Sequence, residues 1–221
     1  MQTLALNAAQ LAEHLKVKVP LGVSGDVEIR KFRFTDKTLW PRPGERPKAG
    51  EYTELRLAGE TWMSDMPNEI HEQIAFIHAL NRAPRDSRIL ICGMGLGVVL
   101  NCALLMLHRG PIDIVENNAD VLALVQPFYE EQARIADVEV RFHLASAYTW
   151  QFAPDARWHI GWIDIHRDII ETNLPDIERL HAKYGPRCVW LDSWSRAEAE
   201  MLKAHRESGG APLPNVPVAT A

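Results

Sequence analysis

Apolar and polar residues follow two different periods along the chain, and the period changes near residue 67. Three segments before it alternate between apolar and polar residues in the manner of half-exposed strands: 27–34, 52–57 and 60–65. Ala58-Gly59 separates the last two segments, which therefore form a predicted hairpin. An amphipathic helix is predicted over 4–15. Residues 1–66 are thus expected to form a small N-terminal module of one helix and several β-strands.

Beyond residue 67 the pattern predicts helices and strands in alternation. A helix is predicted over 68–81, and a last helix from Ser195, where Ser195-Arg196-Ala197-Glu198 has capping-box spacing. The predicted strands are 88–92, 111–116, 138–143, 158–164 and 187–191. The predicted helices between them are 97–108, 118–134 and 173–184, with a short piece near 146–150.

This alternation predicts an α/β fold with a doubly wound, mostly parallel sheet covered on both faces, a Rossmann-like arrangement. The nucleoside-binding domain is expected to span 67–208. Three prolines and no apolar period over 209–221 predict a flexible tail. With no further strand predicted after the last helix, the sheet is expected to have five strands.

Composition narrows the class of protein. The 221 residues carry a formal net charge of −5, which gives no support for a nucleic-acid surface. No apolar run is long enough to span a bilayer, and the N-terminus lacks the basic start of a signal peptide. Three cysteines without paired spacing are typical of reduced thiols. We therefore expect a cytoplasmic protein that acts on a small molecule, and exposed sheet edges suggest a homodimer.

Three glycines at alternate positions follow an apolar strand, and they indicate a ligand site. Gly93, Gly95 and Gly97 suit a turn whose backbone approaches a ligand closely. About twenty residues later a second apolar strand ends in Glu116, a carboxylate that can accept from ribose hydroxyls. Val98 stands where dinucleotide binding wants a small residue, so a nucleoside without pyrophosphate fits better. A plain strand–helix turn is the alternative.

A further carboxylate follows another apolar strand. Asp164 ends the strand 158–164, and ligands of open α/β sheets bind outside the carboxyl ends of the strands. Asp164 is therefore expected to face the same crevice as Gly95 and Glu116, whereas His166 two residues later also suits a solvated loop. No metal site is expected, because Ala75 breaks the zinc-binding pattern that His71-Glu72 begins.

Residues 59–165 resemble the spermidine synthase branch of the class I S-adenosylmethionine-dependent methyltransferase superfamily. The segments that carry the resemblance are 59–65 and 69–72, Leu90 to Gly97, Val115-Glu116, Ala145-Ser146-Ala147 and Trp162-Ile163-Asp164-Ile165. Ile91 stands two residues before the first glycine, as in that branch. Leu96 departs from the branch, which has an acid inside the glycine turn, and Ser146 replaces its adenine-contact aspartate. The family has a further strand pair after the last helix, so by this resemblance the sheet is expected to be shortened at its C-terminal side.

The resemblance implies a methyl transfer from S-adenosylmethionine to an unidentified acceptor, and it assigns roles to residues of this chain. The implied cofactor-binding residues are Gly93, Gly95, Gly97, Glu116, Asn117, Ser146 and Ala147. The implied substrate-binding residues are Ser64, Asp65, Glu72 and His166. Asp164 is the implied catalytic residue. Three alternatives stay open: an aminopropyltransferase, a nicotinamide enzyme, and a non-catalytic protein with the same fold.

Overall fold

The computed structural model describes residues 15–38 and 47–209. The helix predicted over 4–15 and the tail predicted over 209–221 lie outside the described residues, apart from Leu15 and Gly209 at their ends. No helix of the described segments has the length and apolar composition needed to cross a membrane.

Four antiparallel strands form the N-terminal sheet in the order β1-β2-β3-β4: β1 (Gly22–Ser24), β2 (Val27–Phe34), β3 (Gly50–Leu57) and β4 (Glu60–Ser64). The predicted hairpin is confirmed as β3 and β4. Met63 pairs with Leu55 and Thr61 with Arg56, so Trp62 is the extra residue of a bulge. Because a bulge redirects side chains, this irregularity bears on the cavity described below.

The main sheet has five parallel strands, as the alternation of strands and helices predicted: β5 (Ile89–Cys92), β6 (Ile112–Glu116), β7 (Val140–Leu144), β8 (Trp158–Ile163) and β9 (Cys188–Ser193). Their order is β7-β6-β5-β8-β9. The chain therefore winds outward from β5 in one direction and then from β8 in the other. The doubly wound α/β prediction is confirmed, and the switch between β5 and β8 is where such sheets bind ligands.

Within the described residues, six α-helices accompany the two sheets: α1 (Pro67–His71), α2 (Ile74–Arg82), α3 (Val98–Leu105), α4 (Ala119–Ala136), α5 (Leu174–Tyr184) and α6 (Arg196–Glu207). Strand β5 divides its side chains between two apolar cores. Ile89 and Ile91 pack with α2, α3 and α4, whereas Leu90 and Cys92 pack with α5 on the other face. This strand is buried on both faces, which explains its unbroken run of apolar residues.

The N-terminal sheet shares the first of these cores. Val27, Ile29 and Leu55 belong to the same buried cluster as Ile89 and Ile91 of the main sheet. The strands before residue 66 therefore pack directly against the layer of helices that covers β5. The predicted division of the chain into 1–66, 67–208 and 209–221 stays a prediction.

Three sequence predictions about helices were wrong. The helix predicted over 68–81 is divided into α1 and α2, because the chain tightens at Gln73, whose N–H bonds the Ile70 carbonyl three residues back. The segment near 146–150 is a turn, in which the Ser146 carbonyl accepts from two later backbone N–H groups. Ser195 precedes α6 with φ +63° and makes no side-chain capping bond, so the predicted capping box is absent.

Candidate active site

A cavity of about 610 Å³ opens at the carboxyl ends of β5 and β8, facing the hairpin of β3 and β4. This volume lies in the usual range of small-molecule sites. The cavity brings together most of the site residues that the sequence predicted: Ser64, Glu72, Gly93, Gly95, Glu116, Asn117, Ser146, Ala147, Asp164 and His166. Gly97 and Asp65 are not among its lining residues.

Each glycine of the turn lies against another part of the protein. A Cβ at Gly93 would overlap the backbone carbonyl of Asp164, and one at Gly95 would overlap the thioether of Met63. Gly97, with φ +76°, lies against the Tyr129 ring, and the Tyr129 hydroxyl donates to the Leu96 carbonyl at 3.1 Å. Gly97 therefore packs against the core at the start of α3, in agreement with its absence from the residues that line the cavity.

Met63 covers the glycine turn on the side of the cavity. Its sulfur accepts a hydrogen bond from the Leu96 N–H at 3.1 Å and lies against Gly95. The bulge at Trp62 aims this side chain from β4 toward the main sheet. A ligand that contacts Gly95 or the Leu96 N–H has to displace this flexible thioether.

The contact between Gly93 and Asp164 gives a prediction for stability. Gly93→Ala is expected to lower the free energy of unfolding by about 1–3 kcal/mol more than Gly59→Ala does. Both glycines have positive φ, +96° and +80°, but a Cβ at Gly59 meets no atom within 4 Å. The pair therefore isolates the overlap with the Asp164 carbonyl from the strain of the backbone. If denaturant titrations gave the same loss of unfolding free energy for both variants, the ends of β5 and β8 would be able to move apart and accept the added Cβ without cost.

Glu116 joins the glycine turn to the start of α4. One carboxylate oxygen accepts from the Met94 N–H at 2.8 Å, and the other accepts from the Asn118 N–H at 2.8 Å. The side chain is largely buried, yet it lines the cavity. A carboxylate offers about four lone pairs, so two of them remain for hydroxyl donors from a ligand.

The segments on either side of Glu116 are held firmly. Asn118 caps α4, since its side-chain oxygen accepts from the Asp120 and Val121 N–H groups at 2.9 and 3.2 Å. The Ala147 carbonyl, behind the cavity wall, accepts from the Lys183 ammonium at 2.8 Å and from the Tyr184 hydroxyl at 2.6 Å. These bonds fix the Ser146–Ala147 turn beside Glu116 before any ligand arrives.

Carboxylates form the wall opposite Glu116. Glu69 accepts from the Ser64 backbone N–H and hydroxyl at 2.6 and 2.7 Å, and Glu72 accepts from the Trp194 indole at 3.0 Å. Burial is the main cause that raises the pKa of the Asp164 carboxyl to about 7, and the negative charges of Glu72 and Glu69 contribute to the same rise. This acidic wall, defined by Glu69, Glu72 and Asp164, favours a cationic group in the cavity.

Two other predicted residues have different surroundings. Asp65 is buried directly after β4, and its carboxylate accepts from the Thr53 N–H at 2.6 Å, a bond that joins β3 to the end of β4. His166 does line the cavity, and burial lowers its pKa, against the opposing charge of Asp176. Among the described residues, no three His, Cys, Asp or Glu side chains are grouped as metal ligands.

Sequence reasoning missed several residues of the cavity, which are Trp62, Met63, Gln73, Arg167, Asp176 and Trp194. Arg167 links the two sides of the cavity, since it pairs with Glu60 at 2.6 Å and lies 5.8 Å from the centre of the Trp62 ring. No motif in the sequence marks these residues. The nearest signal was the position of Trp62 and Met63 beside Ser64 on a predicted hairpin.

Comparisons with known proteins give likenesses of structure only. No family model and no curated protein matches the chain. A putative methylase from Haemophilus influenzae is 14% identical, with a TM-score of 0.42, over 55% of this chain and 65% of that chain. Coclaurine N-methyltransferase, solved with N-methylheliamine and SAH, is 15% identical, with a TM-score of 0.41, over 56% of this chain and 34% of that one. The YcgJ protein of Bacillus subtilis is 19% identical, with a TM-score of 0.36, over 42% and 37%.

The chain thus spans between about a third and two thirds of the length of these structures. The assignment of the doubly wound fold rests on the strand order of the chain itself.

Proposed function

We propose that the cavity binds S-adenosylmethionine and that the protein transfers the methyl group of this cofactor to a small molecule with a basic nitrogen. One observation carries the proposal: a single cavity at the switch between β5 and β8 has Glu116 on one wall and the acidic wall on the other. The first wall suits a nucleoside, and the second suits a cationic acceptor.

The residues on the Glu116 side fit the nucleoside part of the cofactor. The carboxylate is fixed by two backbone N–H groups and keeps lone pairs for a pair of ribose hydroxyls. Ser146 and Ala147 lie beside it in the cavity, where they can contact the edge of a base. When bound, the cofactor supplies a methyl group on a positively charged sulfur, and this sulfur leaves readily as a neutral thioether when the methyl carbon is attacked.

The residues on the acidic wall fit the acceptor. An amine reaches the site mostly as an ammonium, which the charges of Glu69, Glu72 and Asp164 attract. The ammonium has to lose a proton before its nitrogen can form a bond to carbon. Asp164, with a pKa of about 7, is a stronger base than an ordinary aspartate and is our candidate for the group that takes this proton.

The same wall favours a second candidate, the transfer of an aminopropyl group to an amine. Three carboxylates beside the glycine turn disfavour a ligand carboxylate in that region. Decarboxylated S-adenosylmethionine lacks this group and would avoid the repulsion. Leu96 weighs against this candidate, because the spermidine synthase branch has an acid at that position of the turn.

Calorimetry on the full chain tests the proposal. We expect S-adenosylmethionine to bind and to raise the melting temperature, because a ligand of the folded state stabilises it by mass action. Tighter binding of the decarboxylated form, with turnover of putrescine, would replace methyl transfer with the second candidate. Binding of NAD alone would indicate a nicotinamide enzyme. The absence of heat and of a melting shift with all three would overturn the proposal in favour of a non-catalytic protein.

A further inference from the structure

Gln73 lies between the core of the protein and the cavity. Its side chain is buried, at the point where α1 ends and α2 begins. The amide oxygen accepts from the Trp162 indole N–H at 2.9 Å, and the amide nitrogen donates to Asp164 at 3.3 Å. One side chain therefore connects a buried tryptophan of β8 to the carboxylate that follows the same strand.

The chemistry of Trp162 determines how the Gln73 amide is turned. An indole N–H can only donate, so it has to face the amide oxygen, and the amide nitrogen then faces Asp164. Trp162 is fully buried and stacks on Trp190 at a ring distance of 6.0 Å and an angle of 3°. Phe76 packs on it from α2 at 6.1 Å. The amide is therefore held in one orientation by a rigid aromatic group.

We propose that Gln73 is a positioning residue, which holds one carboxylate oxygen of Asp164 by a donor that Trp162 keeps aimed at it. The other oxygen is then left to the cavity and its ligand. The value of this arrangement for catalysis rests on the proposed function, but the arrangement itself belongs to the ligand-free protein and can be tested there.

The hydrogen bond from Gln73 and the charged groups around Asp164 have opposite effects on the pKa of this carboxyl. Glu72 and Glu69 of α1 raise the pKa of Asp164 by repulsion, in addition to the effect of burial, and the hydrogen bond from Gln73 lowers it. Burial lowers the pKa of His166, two residues along the same loop. Gln73 is thus the group that stabilises the ionised form of Asp164 against a site that otherwise favours the protonated form.

The test is a ¹³C NMR titration of the carboxyl groups of aspartate in the ligand-free full chain, with Asp164→Asn used to assign the signal. In Gln73→Met, which removes the donor at similar length, we expect the pKa of Asp164 to rise by roughly 0.5 to 1. Gln73→Glu, which adds a negative charge, should raise the pKa further. If the variant merely loosened the packing, water would enter and the pKa would fall, because burial is the main cause of its high value.

The chain offers a matched control, since Gln126 donates to Glu130 at 2.7 Å in a solvent-exposed bond of the same kind. Gln126→Met should leave the pKa of Asp164 unchanged. An unchanged or lowered pKa in folded Gln73→Met and Gln73→Glu would overturn the inference, whatever the ligand. If cofactor binding fails while the pKa rises as expected, the proposed function is wrong and the positioning by Gln73 stands.

Discussion

Asp164→Asn is expected to lower the rate of methyl transfer to an amine by roughly 100- to 10,000-fold, the usual loss when a general base is removed. Asparagine has nearly the same shape and can still accept from Gln73 at the amide oxygen, but it cannot take a proton at neutral pH. The affinity for the cofactor, measured by calorimetry, should change little, because the residues proposed to contact the nucleoside lie on the Glu116 side of the cavity.

The pH dependence follows from the same group. Asp164 has to be ionised to accept a proton, so kcat/KM of the unmodified protein should fall as the pH drops below about 7.

The stability of the folded protein should depend on pH in the opposite direction. Because the folded-state pKa lies above the ordinary value of 3.8, the folded protein holds a proton that the unfolded chain releases. The stability that this bound proton contributes is complete below pH 3.8 and is lost as the pH rises through about 7. Asp164→Asn should remove this dependence of stability on pH.

Asp168 supplies the control, since it is an exposed aspartate four residues further along the same loop. Asp168→Asn should keep both the rate and its pH profile. A folded Asp164→Asn variant that retains most of its activity would show that another group, with His166 as the nearest candidate in the cavity, accepts the proton.

Glu116→Gln is expected to weaken the binding of S-adenosylmethionine by about 100-fold, because hydrogen bonds to a charged acceptor are among the stronger ones. The carboxylate accepts from two backbone N–H groups at once. A glutamine has one oxygen and one NH₂, so either the Met94 or the Asn118 N–H would face another donor. The variant should therefore also lose about 1–3 kcal/mol of unfolding free energy.

Two measurements separate these effects. Melting curves without ligand report the loss of stability, and calorimetry well below the melting temperature reports the affinity of the folded protein. Glu131→Gln is the matched control, because Glu131 is an exposed carboxylate that pairs with Arg134 at 2.7 Å on the surface of α4. Full affinity in folded Glu116→Gln would mean that the ligand does not contact this carboxylate, and the nucleoside site would have to lie elsewhere.

The three central strands of the main sheet, β5, β6 and β8, could be predicted because each is a short and mostly apolar segment, and burial of a parallel sheet on both faces requires such segments. The predicted strand 158–164 corresponds to β8 at Trp158–Ile163, and 111–116 to β6 at Ile112–Glu116. Strand β1 was missed, since Gly22–Ser24 is too short to show a period. The helix over 68–81 was predicted as continuous because its apolar spacing is continuous, and this spacing does not report where the backbone hydrogen bonds tighten, as they do at Gln73.

The residues of the candidate site also fall into those that the sequence could locate and those that it could not. Gly93, Gly95, Glu116 and Asp164 could be located from the sequence, because the carboxyl ends of neighbouring parallel strands meet at one edge and each strand could be recognised. Gly97 was grouped with the other glycines by spacing alone. Its contact with Tyr129, more than thirty residues later in the chain, has no local signature.

The order of apolar strands and helices was enough to determine the layered parallel sheet, since chain direction and the burial of both faces follow from local pattern and from the handedness of crossovers. Only the tertiary structure decided which side chains meet at the carboxyl edge of that sheet. The bonds from Trp162 to Gln73 and from Gln73 to Asp164 join residues about ninety positions apart, and so does the acidic wall formed by Glu72 and Asp164. Such contacts depend on packing between elements that are distant in sequence, and the raised pKa of Asp164 depends on them in turn.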